Sequence, residues 1–262
     1  MEFVPYNKGQ SDAREISLGD VTRSALMDIY KQHNPAASED ELNRIRDDIE
    51  SFIAEIKQWF EKTMLPIKAA HKLSEKQYVS LEFLDEKLAD EIIRTDNIDA
   101  LLEEKTALHK RVDTIVDELI ANIYLKPYED LFNQTIVAYR CNSYDLAVLG
   151  FFAIIDGLLS DITKDYGSVK IKQRIEKVAN VSNVHISENK TNAGTLIQKA
   201  SLLLVTDLLS ESKPFNGEEP ATLNRHWAMH GRTRTRKTKV DCEKLILFIY
   251  GLLKTAENPK DN

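Results

Sequence analysis

From Tyr144 to Tyr166 apolar residues fall on nearly every side of a helix: Leu146, Val148, Leu149, Phe151, Phe152, Ile154, Ile155, Leu158, Leu159 and Ile162. A helix with no polar stripe needs neighbours all round, at the centre of a bundle or in a dimer interface. The run from Leu146 to Leu159 is interrupted by Asp156 and is too short to span a bilayer, so a core helix is expected and no membrane contact. Asp156 within that run needs a partner if it is buried. The commoner role is a structural hydrogen bond or ion pair; the functional one would be to orient a base elsewhere.

The remaining periodicity is helical and no strand-like alternation competes with it. Val21 to Tyr30 suits a short helix. Ser38 with Glu41 forms a capping box ahead of Leu42, Ile45, Ile49, Phe52, Ile56 and Phe60, a long amphipathic face limited by Pro66. Ser74 with Gln77 reads as a second box before Tyr78, Leu81, Leu84, Leu88 and Ile92. A third helix is expected from near Asp96 to about Tyr124, with Leu101, Leu108, Val112, Ile115, Leu119 and Ile123 on one side, ended by Pro127. The opposite faces are charged, which suits a helical hairpin or coiled-coil-like arm. Lone His71 and His109 are expected at the surface.

After Pro127 the pattern predicts helices over residues 128–139, 144–166, 168–180, 193–210 and 240–254, with loops at 181–192 and 213–220. Leu196, Leu203, Leu204, Leu208 and Leu209 should point inward, and Pro220 suits the first turn of the helix that follows. The expected fold is all-α: an N-terminal helical arm over 1–127 and a helical bundle over 128–262.

The net charge of −7 argues against a general nucleic-acid binder. Yet every residue from Arg232 to Lys239 is Arg, Lys or Thr, which suits a chain touching a polyanion at one place. Cys141 and Cys242 are too few for a disulfide framework or a cysteine zinc site. With a polar start broken by Pro5 and Gly9, a reduced cytoplasmic protein is expected.

The basic run follows Leu223-Asn224-Arg225-His226-Trp227-Ala228-Met229-His230-Gly231. His226 and His230 share a helix face, a spacing that suits zinc, but the metalloprotease pattern needs glutamate where Trp227 stands. No metal or other cofactor is expected. Arg225 and His230 lie about 140° apart on an ideal helix, so they converge on one ligand only if the helix bends or if two copies meet. Imidazole can move protons near neutral pH, and a guanidinium stabilises phosphate charge with paired hydrogen bonds. RNA carries its own nucleophile, the 2′-hydroxyl. On this reading Arg225 and His230 are the catalytic pair. Asn224, His226 and Asp156 support them, and Arg232, Arg234, Arg236, Lys237 and Lys239 hold the RNA backbone. The bland alternative is chance spacing beside a solvated basic loop.

The segment resembles the HEPN superfamily of small all-helical domains, whose signature is Arg, a polar residue and a later His. Arg225, His226 and His230 fit its four-residue-gap form. Asn224 to Arg232 is similar to the N-R-H-x-x-[LM]-H-G-R segment of bacterial proteins of this type. Ile155-Asp156-Gly157 and Lys244-Leu245-Ile246-Leu247-Phe248 resemble their flanking helices, so the resemblance covers about residues 128–257. It implies a metal-independent endoribonuclease, usually dimeric, with Arg225 and His230 in a composite cleft, as in toxin–antitoxin and antiphage systems. Arg232 stands where some members carry a tyrosine modified by an antitoxin enzyme. The alternative is a non-catalytic dimerising adaptor or sensor that binds nucleic acid or a protein partner through the basic loop.

Overall fold

A computed structural model describes residues 18–79, 84–167, 173–175, 177–178, 193–211 and 215–256. Among them there is no strand, and the fold is all-α. The chain divides into two compact units, Met1–Thr63 and Met64–Asn262. This differs from the boundary expected at Pro127, because residues 64–127 share a core with the C-terminal bundle.

The first unit contains α1 (Leu18–His33) and the beginning of α2 (Glu39–Glu75). The capping box forms: Ser38 N donates to Glu41 Oε2 at 2.9 Å and Glu41 N to Ser38 Oγ at 3.3 Å. Met27 and Ile53 are buried, while Phe52, Ile56 and Phe60 are exposed. The expected apolar face of α2 is therefore partly covered from Leu42 to Ile53 and exposed at Phe52, Ile56 and Phe60. Pro66 does not limit α2 but lies inside it. It removes one main-chain hydrogen bond without ending the helix, because the helix's next turns bury Ala69, Ala70 and Leu73.

The second unit holds the end of α2, then α3 (Glu86–Arg94), α4 (Ile98–Thr106), α5 (Leu108–Ile120), a 3-10 turn (Ile123–Tyr128), α6 (Glu129–Arg140), α7 (Tyr144–Thr163), α8 (Ala193–Ser210), α9 (Arg225–Met229) and α10 (Lys239–Ala256). The apolar helix is α7. It packs on α6, α9 and α10, and α10 also packs on α5 and α8. By length and composition α7 could cross a membrane, which corrects the expectation from its central run. Its Ala147, Val148, Phe151, Phe152, Ile154, Ile155, Leu158 and Leu159 are instead buried in this core. Leu146 and Leu149, expected inside, are exposed. Gly157 lets the 3-10 turn close on α7: a Cβ there would sit 2.4 Å from the Tyr128 ring.

Ser74 and Gln77 do not cap a helix. Ser74 Oγ donates to Ala70 O at 2.8 Å, within α2, and lies 2.8 Å from Ser201 Oγ. Gln77 turns the chain with φ 63°. The expected third helix is two, broken at Ala107 with φ 48° and ψ 54°. His109 after that break stays partly exposed but is not alone: its Nδ1 lies 2.6 Å from Glu243 Oε1, which also accepts from Tyr139 at 3.0 Å. His71 is exposed, 3.7 Å from Glu75. Ile123 and Leu204, expected inside, are exposed. Leu81, residues 168–172, 176 and 179–192, and the side chain of Leu196 lie outside the described residues.

Candidate nucleic-acid interface

Two side chains, Gln77 and Asn224, fasten the chain where it enters the motif. Gln77 pairs with both main-chain groups of Leu223: its Nε2 donates to Leu223 O at 2.6 Å, and Leu223 N donates to Gln77 Oε1 at 2.9 Å. Asn224 is then extended and caps α9. Its Oδ1 accepts from Trp227 N at 3.0 Å, and its Nδ2 donates to Glu211 O at 2.8 Å, just past the end of α8. Both side chains are buried, so these bonds have little competition from water. Pro220 lies outside the helix it was expected to start; Asn224 does that work.

α9 is one turn and a fraction, and it stops in a Schellman arrangement. Arg232 N donates to Trp227 O at 2.9 Å and Gly231 N to Ala228 O at 3.0 Å. Gly231 has φ +64°, and a Cβ there would meet nothing within 4 Å, so the backbone conformation alone selects glycine.

Arg225 turns toward α7. Its Nε donates to both oxygens of Asp156, at 2.9 and 3.0 Å, and Nη2 donates to Oδ2 as well. Asp156 therefore holds an arginine, not a base. Among the described residues Nη1 has no hydrogen-bond partner and remains available to an anion.

His226 and His230 meet each other: their ring centroids are 4.7 Å apart at 69°. Phe215 stacks on His226 at 4.5 Å and 9°, and meets His230 edge-on at 5.4 Å. Buried Trp227 braces Phe215 from a third direction at 5.6 Å. The Arg232 guanidinium lies 5.3 Å from the Phe215 ring centre. Burial, then the charges of His230 and Arg225, hold the His226 imidazole below the usual histidine range. Phe215 was missed by the motif reading; its one signal was being the only aromatic in the polar loop from Lys213 to Pro220.

The site residues thus fall into two groups. Arg225 joins Asp156, His226 joins His230, and no hydrogen bond or ring contact links Arg225 to His230. Among the described residues no set of three His, Cys, Asp or Glu side chains is placed to hold a metal ion with the two histidines.

The basic loop is not uniformly free. Arg232, Arg234 and Arg236 are exposed. Lys237 is largely buried, 3.7 Å from Glu219, whose other oxygen accepts from Arg234 N at 2.8 Å and Thr235 N at 3.1 Å. Burial works to raise the Glu219 carboxyl, but those two N–H groups and Lys237 outweigh it and hold it below the usual range. Lys239 lies 3.6 Å from Glu243. Glu219 fixes the path of the loop while three arginines point outward. Scans against protein-family models and searches of curated proteins and of solved structures find no match to this chain.

Proposed function

We propose that this chain cleaves RNA without a metal ion, by attack of the 2′-hydroxyl on the adjacent phosphorus. The observation that carries the reading is the touching pair of imidazoles at His226 and His230, with Arg225 one residue away and braced by Asp156. In the step, the 2′-oxygen bonds to phosphorus and the bond to the 5′-oxygen breaks. His226, biased toward its neutral form, takes the 2′-hydroxyl proton; the imidazolium of His230 gives a proton to the leaving 5′-oxygen. The products are a 2′,3′-cyclic phosphate and a 5′-hydroxyl. Nη1 of Arg225 meets a phosphate oxygen as charge builds on it, and Arg232, Arg234 and Arg236 hold neighbouring phosphates. His226 thus moves from a supporting role to that of general base. The resemblance to HEPN domains suggests a toxin or antiphage effector of the cytoplasm, held by a partner or antitoxin protein.

One observation favours a second reading. Asp156 already neutralises much of Arg225, which suits a non-catalytic module that binds nucleic acid or a protein through its arginine loop. The test is incubation of purified chain with tRNA and end-labelled RNA in EDTA. Expected are products ending in 2′,3′-cyclic phosphate, slowed by about a hundredfold or more in His226→Ala or His230→Ala, and no cleavage at a 2′-deoxy nucleotide. Intact RNA that is nonetheless bound, equally by wild type and both variants, would establish the second reading instead.

A further inference from the structure

Phe215 lies outside every helix, yet four side chains converge on its ring. The His226 imidazole is nearly parallel to it at 4.5 Å, and His230 and Trp227 meet it edge-on at 5.4 and 5.6 Å. The Arg232 guanidinium lies over it at 5.3 Å. A parallel ring fills one face of Phe215, which leaves the other face to Arg232. Phe215 is only half-buried, and Asn216, Gly217 and Arg232 are exposed, so solvent reaches this side. Among the described residues the contact with Phe215 is what holds the Arg232 side chain. An exposed cation over a ring is a weak contact, and a nucleobase stacks on an aromatic face more strongly.

The loops that carry the two groups are clipped together. Glu219, in the loop of Phe215, accepts from Arg234 N and Thr235 N at 2.8 and 3.1 Å and lies 3.7 Å from Lys237. The backbone spacing is thus fixed while the Arg232 side chain can swing. A base between Phe215 and Arg232 needs two stacking layers of about 3.4 Å each, so the guanidinium has to move out by roughly 1.5 Å. We propose that Phe215 and Arg232 form a slot for one unpaired nucleobase, with the ring below the base and the guanidinium plane above it, so that the RNA taken here is single-stranded. The inference rests on the reading that this site takes RNA, and it names the class of RNA. Inside a duplex both faces of a base are covered by its neighbours; an unpaired nucleotide can turn a face to Phe215. The plane of Arg232 lies on the base while its N–H edge still meets a phosphate. Such a slot reads the face of a base and not its edge, so it accepts all four bases.

The experiment measures binding, by fluorescence anisotropy of the full chain in EDTA with a short labelled 2′-O-methyl RNA, which lacks the nucleophile and stays intact. The single strand should bind about tenfold or more tighter than the same strand in a duplex. An abasic strand of equal length keeps every phosphate and should also lose about tenfold or more, and a single adenine placed among abasic nucleotides should restore the affinity. Phe215→Leu should erase the difference between adenine-bearing and abasic strands, and Phe215→Tyr should keep it. Arg232→Lys, which keeps the charge and loses the plane, should reduce that difference without changing the salt slope. Wild type that binds the abasic strand or the duplex as tightly as the single strand overturns the proposal, as does a base preference that survives Phe215→Leu. Absence of any RNA binding overturns it together with the proposed function. Base-dependent binding without cleavage of ordinary RNA would uphold the slot and sink the enzymatic reading; cleavage with base-independent binding would do the reverse.

Discussion

Asp156 shows how much one side chain's partner matters. A carboxylate among apolar neighbours announces that something will pair with it, and a helix this apolar narrows the choices. The partner is Arg225, 69 positions away in sequence, and that pairing settles which way the guanidinium points. His226 then becomes the group whose proton is most informative. Its lowered pKa arises first from burial, then from His230 and Arg225. The folded chain therefore binds this proton less readily than the unfolded one, so the associated stability is present above about 6.5, the ordinary histidine value, and is lost as pH falls through the lower folded value. NMR titration of the imidazoles should place His226 below 6.5, and His230→Gln should move it back toward that value. A His226 pKa unmoved by that change would leave burial and Arg225 as the causes and weaken the case for a coupled pair. The same scale holds the clearest surprise: His109, read as a lone surface residue, meets a Glu243 that is wholly buried. Among the described residues the second oxygen of Glu243 has no partner.

At the scale of elements, α9 is too short to be stable by itself, since helices under about a dozen residues are marginal in water. It survives because both ends are tied: Asn224 at the start, Gly231 at the finish, and Trp227 buried between them. Asn224→Ala removes a cap and a buried bond to Glu211 together. The expected loss is about 1–2 kcal/mol in denaturant unfolding, accompanied by loss of the ring-current coupling between His226 and His230. Normal stability with the rings still in contact would mean that Gln77 and Trp227 hold the segment unaided. Helix existence was legible from spacing for α2, α6, α7, α8 and α10, because the apolar repeats there are long. The ends were less so. Pro66 looks like a stop in sequence, yet the burial of Ala69 and Leu73 beyond it carries the helix through; the Ala107 break has no Gly or Pro to announce it.

For the whole molecule, a net charge of −7 coexists with a loop of exposed arginines, so any polyanion must bind locally and against a repulsive background. Binding of a labelled single-stranded RNA, followed by fluorescence anisotropy, should weaken steeply with salt. Removing Arg232, Arg234 and Arg236 together should flatten the log–log slope by about 2, at about 0.7 per phosphate contact. Lys237→Ala should leave the slope nearly unchanged and lower the melting temperature, because that amine is held by Glu219 inside the loop. An equal change in slope from Lys237→Ala would show that the loop rearranges on binding.

What the sequence determined by itself was the class of fold, the central apolar helix and the segment from Asn224 to Gly231 as the place where chemistry-bearing residues gather. These are local properties: helical periodicity, turn residues and residue type are all read within a few positions of chain. Tertiary structure decided which of those residues act on each other. Phe215 under His226, Asp156 on Arg225, Gln77 on Leu223 and Glu243 on His109 all join residues from different elements. Such pairings depend on how helices pack, and side-chain packing is set by shape and burial across the whole core, which no local pattern encodes.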